Sequence, residues 1–235
     1  MTNERNLGAV IFDFNGVLLW DNPLHEEAWR RFSAQLRGTP MSLDEMRTEV
    51  HGRTNRDILT YVIGHTPDEA ELHELAEGKE GFYRRLALES GDAYHLAPGA
   101  VEFLDFLVAH NIPRAIATSS PASNVTFFIE QLNLLRWFDE ADIIYDEGRY
   151  PGKPAPFIYL EAAGQLGLPP ERCVVVEDAI RGIEAAYNAG AGAIVGVSST
   201  TSAADLAALP GVDAVIPDLT RFPRELFGHL QPAQT

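Results

Sequence analysis

The chain has 235 residues, of which 46% are hydrophobic and 22% charged, and its formal net charge is −16 at pH 7. This length accommodates one α/β core and a small second domain. The negative charge argues against nucleic acid or an anionic membrane as the main partner. Cys173 is the only cysteine, which excludes an internal disulfide. Because residues 1–6 are polar and no apolar run could span a bilayer, we expect a cytoplasmic protein, either monomeric or weakly dimeric.

The first strand is predicted at residues 8–13, an apolar run of the kind that is buried on both faces of a sheet. Only helices are predicted after it, at residues 23–36, 43–50, 55–63 and 68–88. Pro67 and the acidic residues after it are typical of a helix start, since acids are favourable near the positive end of the helix dipole. An all-helical block inserted after the first strand predicts a cap domain, which we assign to residues 17–95.

After the helical block, strands and helices alternate. Strands are predicted at residues 113–118, 172–176 and 192–197, with a short last one at 213–216, and helices at 122–132, 157–166 and 179–189. This alternation predicts a doubly wound parallel α/β sheet with helices on both sides. The predicted core domain comprises residues 1–16 and 96–235.

Polar motifs follow the predicted strands, at the edge where open parallel sheets bind ligands. Asp13 ends the first strand, and Asn15 lies two residues on. A carboxylate at this place can act as a metal ligand and as a nucleophile toward phosphorus, although a simple strand-end turn explains the pair equally well. Thr118, Ser119 and Ser120 end the next strand and precede a helix. They could cradle a phosphate or cap that helix, and the two roles are compatible.

Two further motifs complete the set. Lys153 lies between a glycine and a proline, which holds it in a defined place, and its ammonium could neutralise phosphoryl oxygens and pair with Asp13. A solvated surface lysine is the alternative. Glu177 and Asp178 follow three valines at the end of a strand, where carboxylates suit Mg²⁺. They could instead only cap the next helix.

Each motif has a structural explanation, but the ordered set of four resembles the motifs of the haloacid-dehalogenase-like superfamily. Within it, the chain is most similar to the capped subfamily of β-phosphoglucomutase and small sugar-phosphate phosphatases, over about residues 9–197. The resemblance implies a Rossmann-like core, Mg²⁺ as the cofactor and a small phosphorylated metabolite as the substrate. It implies that Asp13 is the nucleophile, that Thr118, Ser119 and Lys153 bind phosphate, and that the metal is held by Asp13, Asn15, Glu177 and Asp178.

Positions in the helical block also resemble hinge and substrate-pocket positions of β-phosphoglucomutase. On this basis we expect His25, Arg53 and Lys79 to be candidate substrate contacts, together with Ser120 of the core. Trp29 shares a helix face with His25, and for this tryptophan we prefer packing in the domain core. Pocket residues vary with the substrate in this family, so a purely structural role stays an equal alternative for the cap residues.

Asn15 departs from the family pattern, which usually has a second aspartate there as general acid and base. An amide does not titrate in the useful range, and general acid–base catalysis contributes about 10²–10⁴-fold to a rate. Three explanations stay open. Another group, with His25 the candidate, or the substrate itself supplies the proton; the residue is a deliberate Asp-to-Asn change that traps a state; or the protein is a catalytically weak binding protein.

The function that follows is Mg²⁺-dependent phosphoryl transfer through an aspartyl-phosphate, most simply in a phosphatase of small phosphorylated metabolites such as sugar phosphates. Two alternatives are a hexose-phosphate mutase similar to β-phosphoglucomutase and a weakened phosphate-binding or partner-binding protein. The backbone carbonyl of Asn15 is retained, so we expect metal binding to survive the missing carboxylate.

Overall fold

The computed structural model describes residues 7–50, 53–145 and 151–227. The chain divides into two compact units, a cap unit of Asp21–Tyr94 and a core unit formed by the residues on either side of it. The strands of the described residues are β1 (Ala9–Phe12), β2 (Arg114–Thr118), β3 (Ile143–Tyr145), β4 (Cys173–Glu177), β5 (Ala193–Val197) and β6 (Val212–Ile216). The helices are α1 (Asn22–Arg37), α2 (Leu43–Glu45), α3 (Asn55–Ile63), α4 (Glu69–Glu89), α5 (Ala100–Ala109), α6 (Ala122–Leu132), α7 (Phe157–Gln165), α8 (Ile180–Asn188) and α9 (Ala203–Ala207).

The core unit contains a six-stranded sheet in the order β3-β2-β1-β4-β5-β6, and every neighbouring pair is parallel. In register, Phe12 of β1 is opposite Ile116 on one side and Val176 on the other. The strands therefore end together, and the residues that follow β1, β2 and β4 meet at one edge. This edge is where ligands bind in open parallel sheets.

The central strands are continuous apolar runs because both of their faces are covered. All residues of β1, β4 and β5 are buried. One side of the sheet packs against α7 and α8, whose small side chains, such as Ala162 and Ala186, lie in the same hydrophobic cluster as Val175 and Ile194. Small helix residues let the helices lie close to the sheet, and this packing fixes the strand ends beneath the polar edge.

The cap unit is entirely helical among its described residues. Two of its helices begin at the side-chain caps that the sequence pattern favours: Thr54 and Asp57 form a capping box at α3, and Asp68 accepts a hydrogen bond from the Glu71 N–H at α4. Residues Met46–Val50 form a π-helical turn directly after α2. The core of the unit is a hydrophobic cluster that contains Trp29, Phe32, Met41, Met46, Val50, Ile58, Leu59 and Val62.

The predicted parallel α/β sheet is confirmed, and the predicted strands agree with β1, β2, β4, β5 and β6 within one residue at every end. The short strand β3 and the helices α5 and α9 are missing from the prediction. The boundaries between the two compact units lie at Trp20/Asp21 and Tyr94/His95. The cap limits expected from the sequence, residues 17–95, stay a prediction. No helix in the described parts of the chain is long and apolar enough to cross a membrane.

The core residues that flank the cap unit lie side by side. Leu19 and Leu96 form an antiparallel bridge, and the Ala97 N–H donates to the Leu18 carbonyl at 2.8 Å. Inside the cap unit, the Tyr83 hydroxyl donates to Asp21 at 2.5 Å and lies 3.1 Å from the hydroxyl of Tyr94. The first and last residues of the cap unit are thus joined through one buried tyrosine.

Candidate active site at the carboxyl edge of the sheet

Asp13 directly follows β1 and is held by the sheet and by a tight turn. Its backbone N–H donates to the Val176 carbonyl at 2.9 Å, and only 8% of the residue is exposed. In the turn, Gly16 has a φ of 85°, and its N–H donates to the Leu19 carbonyl at 2.7 Å. A Cβ at residue 16 would lie 2.2 Å from Asp178 Oδ2, so this glycine lets the Asp178 carboxylate approach the turn.

Lys153 joins two of the buried carboxylates. Its Nζ donates to Asp13 Oδ1 at 2.6 Å and to Glu177 Oε1 at 2.7 Å. The lysine backbone is held from α8, because the Arg181 guanidinium donates to the Lys153 carbonyl at 2.7 and 3.0 Å. The structure therefore brings together Asp13, Lys153 and Glu177 from three separate parts of the sequence, as expected if the motifs form one site.

Glu177 is buried and accepts four hydrogen bonds. Its Oε1 accepts from Lys153 and, at 3.2 Å, from the Tyr159 hydroxyl. Its Oε2 accepts from the backbone N–H groups of Asp178 and Ala179, at 2.6 and 2.8 Å. Tyr159 of α7 also lies beneath the lysine, with Nζ 5.0 Å from the ring centroid, which is within the range of a cation–π contact. Glu177 is thus a fixed anchor for Lys153.

The Asp178 side chain accepts a hydrogen bond from the Thr200 hydroxyl, and the neighbouring Ser199 hydroxyl donates to the Gly16 carbonyl at 2.5 Å. Sequence reasoning missed both hydroxyl residues, as well as Tyr159. A signal for the first two was present, because a run of hydroxyl residues follows the predicted strand at 192–197 and so lies at the same edge of the sheet.

Burial shifts the pKa values of the charged groups in this cluster. Burial, together with the charge of Glu177, raises the pKa of Asp178 to about 8. Burial also raises the pKa of Asp13 to about 7, although Lys153 opposes this shift. For Lys153, burial alone would lower the pKa, but the Asp13 and Glu177 carboxylates raise it well above its ordinary value. The lysine is therefore a permanent cation between acids whose negative charge is costly without further compensation.

The last residue of β2 and the two residues after it lie at the same edge. Thr118 is buried, and its Oγ1 accepts from the Ser120 N–H at 3.1 Å. The Ser120 hydroxyl donates to Asn15 Oδ1 at 2.8 Å, which orients the amide of the residue that departs from the family pattern. Ser119 is exposed. The structure thus links Asn15 to Ser120, whereas the phosphate-binding role of these hydroxyl residues stays a prediction.

The cluster has the donor set that a hard divalent cation requires. Asp13, Glu177 and Asp178 each offer a carboxylate oxygen, and these oxygens lie within 4.8 Å of one another. Carboxylate oxygens are the ligands that Mg²⁺ prefers, and a cation here would offset the charge that burial makes unfavourable. The residues present therefore fit a magnesium ion. Because the oxygens of Glu177 already accept four hydrogen bonds, Asp13 and Asp178 are the more available ligands.

The predicted substrate residues of the cap unit lie in polar networks of that unit. Lys79 is buried, and its Nζ lies 2.5 Å from Glu80 Oε1, 3.1 Å from His25 Nδ1 and 5.4 Å from the centroid of the Trp29 ring. Arg53 is exposed, donates to the Thr48 carbonyl and pairs with Glu49. Trp29 belongs to the hydrophobic cluster of the unit, as expected for a packing role. The roles of His25, Arg53 and Lys79 toward a substrate stay predictions.

Known proteins resemble this chain in both sequence and structure. It is 33% identical over 193 residues to a phosphorylated carbohydrates phosphatase from Thermotoga maritima, covering 80% of this chain and 84% of that protein. A β-phosphoglucomutase from Mycobacterium bovis is 27% identical over 238 residues, covering 90% and 89%. The crystal structure of a haloacid dehalogenase hydrolase, family IA, variant 3, from Entamoeba histolytica matches with a TM-score of 0.89 and 36% identity, covering 94% and 98%.

A protein-family model also matches most of this chain, including the residues of the carboxylate cluster. The model of haloacid dehalogenase-like hydrolases matches residues 7–190, which include Asp13, Lys153, Glu177 and Asp178. The match extends over well more than half of the 235 residues. The protein therefore belongs to the haloacid dehalogenase-like hydrolase family.

Proposed function

We propose that the protein is a magnesium-dependent phosphatase of small phosphorylated metabolites, with sugar phosphates as the first class to test, and that Asp13 is its nucleophile. The observation that carries this proposal is the buried Asp13–Lys153–Glu177 arrangement at the carboxyl edge of the sheet. A carboxylate beside a fixed cation suits attack on a phosphoryl group. The phosphatase from Thermotoga maritima, which acts on phosphorylated carbohydrates, supports the reaction and the substrate class.

The reaction proceeds in two displacements. An oxygen of Asp13 attacks phosphorus in line, the bond from phosphorus to the leaving oxygen breaks, and an aspartyl-phosphate forms. Water then attacks this intermediate, which releases phosphate and regenerates the carboxylate. Lys153 neutralises charge on the phosphoryl oxygens, and Thr118 and Ser119 hold them in position, which is the main work that phosphoryl transfer requires.

The proposed metal ligands are the carboxylates of Asp13 and Asp178 and the backbone carbonyl of Asn15, with Glu177 beside them. When bound, Mg²⁺ would supply positive charge to the phosphoryl oxygens and keep both aspartates ionised. Lys153 and Mg²⁺ together would also offset the long-range repulsion between an anionic substrate and a chain of net charge −16.

Asn15 favours a second candidate, a phosphate-binding protein that retained the scaffold and lost turnover. The amide can neither protonate a leaving group nor activate water, and its side chain is held by Ser120. A mutase, in which a second sugar hydroxyl accepts the phosphoryl group instead of water, is the third candidate. The similarity to the β-phosphoglucomutase from Mycobacterium bovis is what supports it.

The test is phosphate release from a panel of sugar phosphates and an aryl phosphate, with Mg²⁺ and with EDTA. We expect metal-dependent release by the wild type and none by Asp13→Ala, whose folding is checked by circular dichroism. Release by a correctly folded Asp13→Ala variant would show that the proposed nucleophile is wrong.

The rival candidates give different results in the same assay. A binding protein would bind Mg²⁺ and vanadate without turnover of any compound in the panel, the aryl phosphate included, and turnover would appear only in Asn15→Asp. A mutase would interconvert sugar phosphates with little release of inorganic phosphate. Metal-dependent release that exceeds interconversion of the sugar phosphates identifies the phosphatase.

A further inference from the structure

The source of the proton for the leaving group decides which phosphorylated compounds this site can use. When Asp13 attacks phosphorus, the leaving oxygen takes the electron pair of the broken bond. A strongly basic oxygen, such as that of a sugar alcohol, leaves readily only if an acid protonates it, whereas a carboxylate or a phenolate leaves as a stable anion. The acids available near Asp13 therefore set the substrate class, and this reasoning rests on the proposed function.

The side chain two residues after the nucleophile is an amide with a fixed orientation. Ser120 donates its hydroxyl proton to Asn15 Oδ1 at 2.8 Å, which fixes the orientation of the amide. An amide NH₂ donates hydrogen bonds but does not give up its proton in the useful range. Asn15 therefore cannot protonate an oxygen of the substrate.

The other polar groups of the cluster are committed to one another. Lys153 donates to Asp13 and Glu177, and Glu177 accepts four hydrogen bonds in all. Asp178 accepts from the Thr200 hydroxyl. These carboxylates act as acceptors, and Asp13 and Asp178 are the groups we assign to nucleophilic attack and metal binding. Within the part of the chain that the structure describes, none of these groups is placed as a dedicated proton donor.

The histidine that sequence reasoning nominated as a donor is engaged inside the cap unit. Lys79 has no acceptor, so its contact of 3.1 Å to His25 Nδ1 requires that this nitrogen accepts. The proton of the ring then lies on Nε2, which is 3.3 Å from Asp21 Oδ2. The ring is also stacked on Tyr83, with the centroids 4.1 Å apart. Both nitrogens of His25 thus have partners of their own.

We propose that, among small phosphorylated metabolites, this site is specific for phosphoryl donors whose leaving oxygen departs as a stable anion, and that acyl phosphates are its best substrates. In the first step the bond from Asp13 to phosphorus forms, and the bond from phosphorus to the acyl oxygen breaks. The electron pair stays on the released carboxylate, and no proton is transferred. Water then opens the aspartyl-phosphate, and its proton passes to solvent as inorganic phosphate leaves.

The missing base also affects the second step. Without a carboxylate at residue 15, the water that attacks the aspartyl-phosphate is not activated, so this intermediate decays slowly. With a good leaving group, the first step is fast and the second limits the rate. We expect a burst of one leaving group per active site with 4-nitrophenyl phosphate, followed by slower turnover.

The test compares kcat/KM for acetyl phosphate, 4-nitrophenyl phosphate, phenyl phosphate and glycerol phosphate in the wild type, Asn15→Asp and Asn15→Ala, all with Mg²⁺. We expect kcat/KM of the wild type and of Asn15→Ala to fall steeply along this series, as the leaving oxygen becomes more basic. We expect Asn15→Asp to gain about 10²–10⁴-fold with glycerol phosphate and less than about tenfold with acetyl phosphate, because only the alkyl leaving group needs the acid.

Two results would overturn this inference and leave the proposed function standing. Equal wild-type activity with glycerol phosphate and acetyl phosphate would show that a proton donor is present. If kcat/KM depended only weakly on the basicity of the leaving group in the wild type but steeply in His25→Ala, the donor would be the cap histidine. If neither the wild type nor Asn15→Asp releases phosphate from any donor, the proposed function itself fails, and the inference fails with it.

Discussion

Gly182, in the first turn of α8, lies directly against the Glu177 carboxylate. A Cβ at this residue would be 1.6 Å from Glu177 Oε1, so Gly182→Ala must displace the anchor of Lys153. We expect the free energy of unfolding to fall by about 1–3 kcal/mol, as for other overpacked sites. We also expect vanadate to bind more weakly, because the lysine loses its fixed position. Urea denaturation and vanadate titration measure the two effects.

Gly164 of α7 provides the matched control for Gly182. It is also a helical glycine, but nothing lies within 4 Å of a Cβ placed there. Gly164→Ala should therefore stabilise the protein by about 0.5–1 kcal/mol through helix propensity, without changing vanadate binding. If both variants were equally stable and bound vanadate equally, the assigned role of the Glu177 position would be wrong.

The raised pKa values of Asp13 and Asp178 predict how Mg²⁺ binding depends on pH. Burial raises the pKa of Asp13 to about 7 and that of Asp178 to about 8, so both groups hold protons at pH 6 and have lost them at pH 9. A cation must displace these protons at low pH. The affinity for Mg²⁺ should therefore rise across this range, by up to about tenfold per pH unit for each proton released, and then level off.

Isothermal titration calorimetry in buffers of different ionisation enthalpy measures both this affinity and the number of protons released. The control is Asp178→Asn, which removes one titrating ligand and should release fewer protons. An affinity that does not change between pH 6 and pH 9 would contradict the proposal that these two carboxylates hold the metal.

At the scale of single elements, the longest helix of the cap unit depends on its first residues. Asp68 precedes α4 and accepts a hydrogen bond from the Glu71 N–H at 2.9 Å. Asp68→Ala removes this cap and should lower the stability of the cap unit by about 1 kcal/mol, whereas Asp68→Asn should retain most of it, because asparagine is an equally good cap. Hydrogen exchange of the first-turn amides of α4 measures the change. Equal exchange in the two variants would show that the cap contributes nothing.

The elements that the sequence predicted best are those with a strong local pattern. β1, β4 and β5 are buried on both faces, so their continuous apolar runs identify them without knowledge of the fold. β3 has only three residues at the edge of the sheet and gives no such signal. Helix α5 buries Ala100, Phe103, Leu104 and Leu107 at helical spacing, but its exposed side also carries apolar residues such as Val101 and Val108, which weakens the contrast between its two faces.

At the scale of the whole molecule, the sequence predicted which motifs meet, because the ends of parallel strands share one edge. Asp13, Lys153 and Glu177 do meet there. The supporting contacts of Tyr159 and Thr200 depend on how α7 and the residues after β5 pack, which no local pattern encodes. The contact of Lys79 with His25 Nδ1 was equally beyond prediction, since it joins residues 54 positions apart in the chain.

The pairing of Leu19 with Leu96 has a consequence for how such proteins diversify. Since the chain leaves and re-enters the core through adjacent residues, a short turn could join Trp20 to His95 without moving any strand of the sheet. Residues 21–94 are therefore an insertion that segments of other lengths could replace at the same point of the core. A change of this segment would therefore leave the geometry of the carboxylate cluster in place.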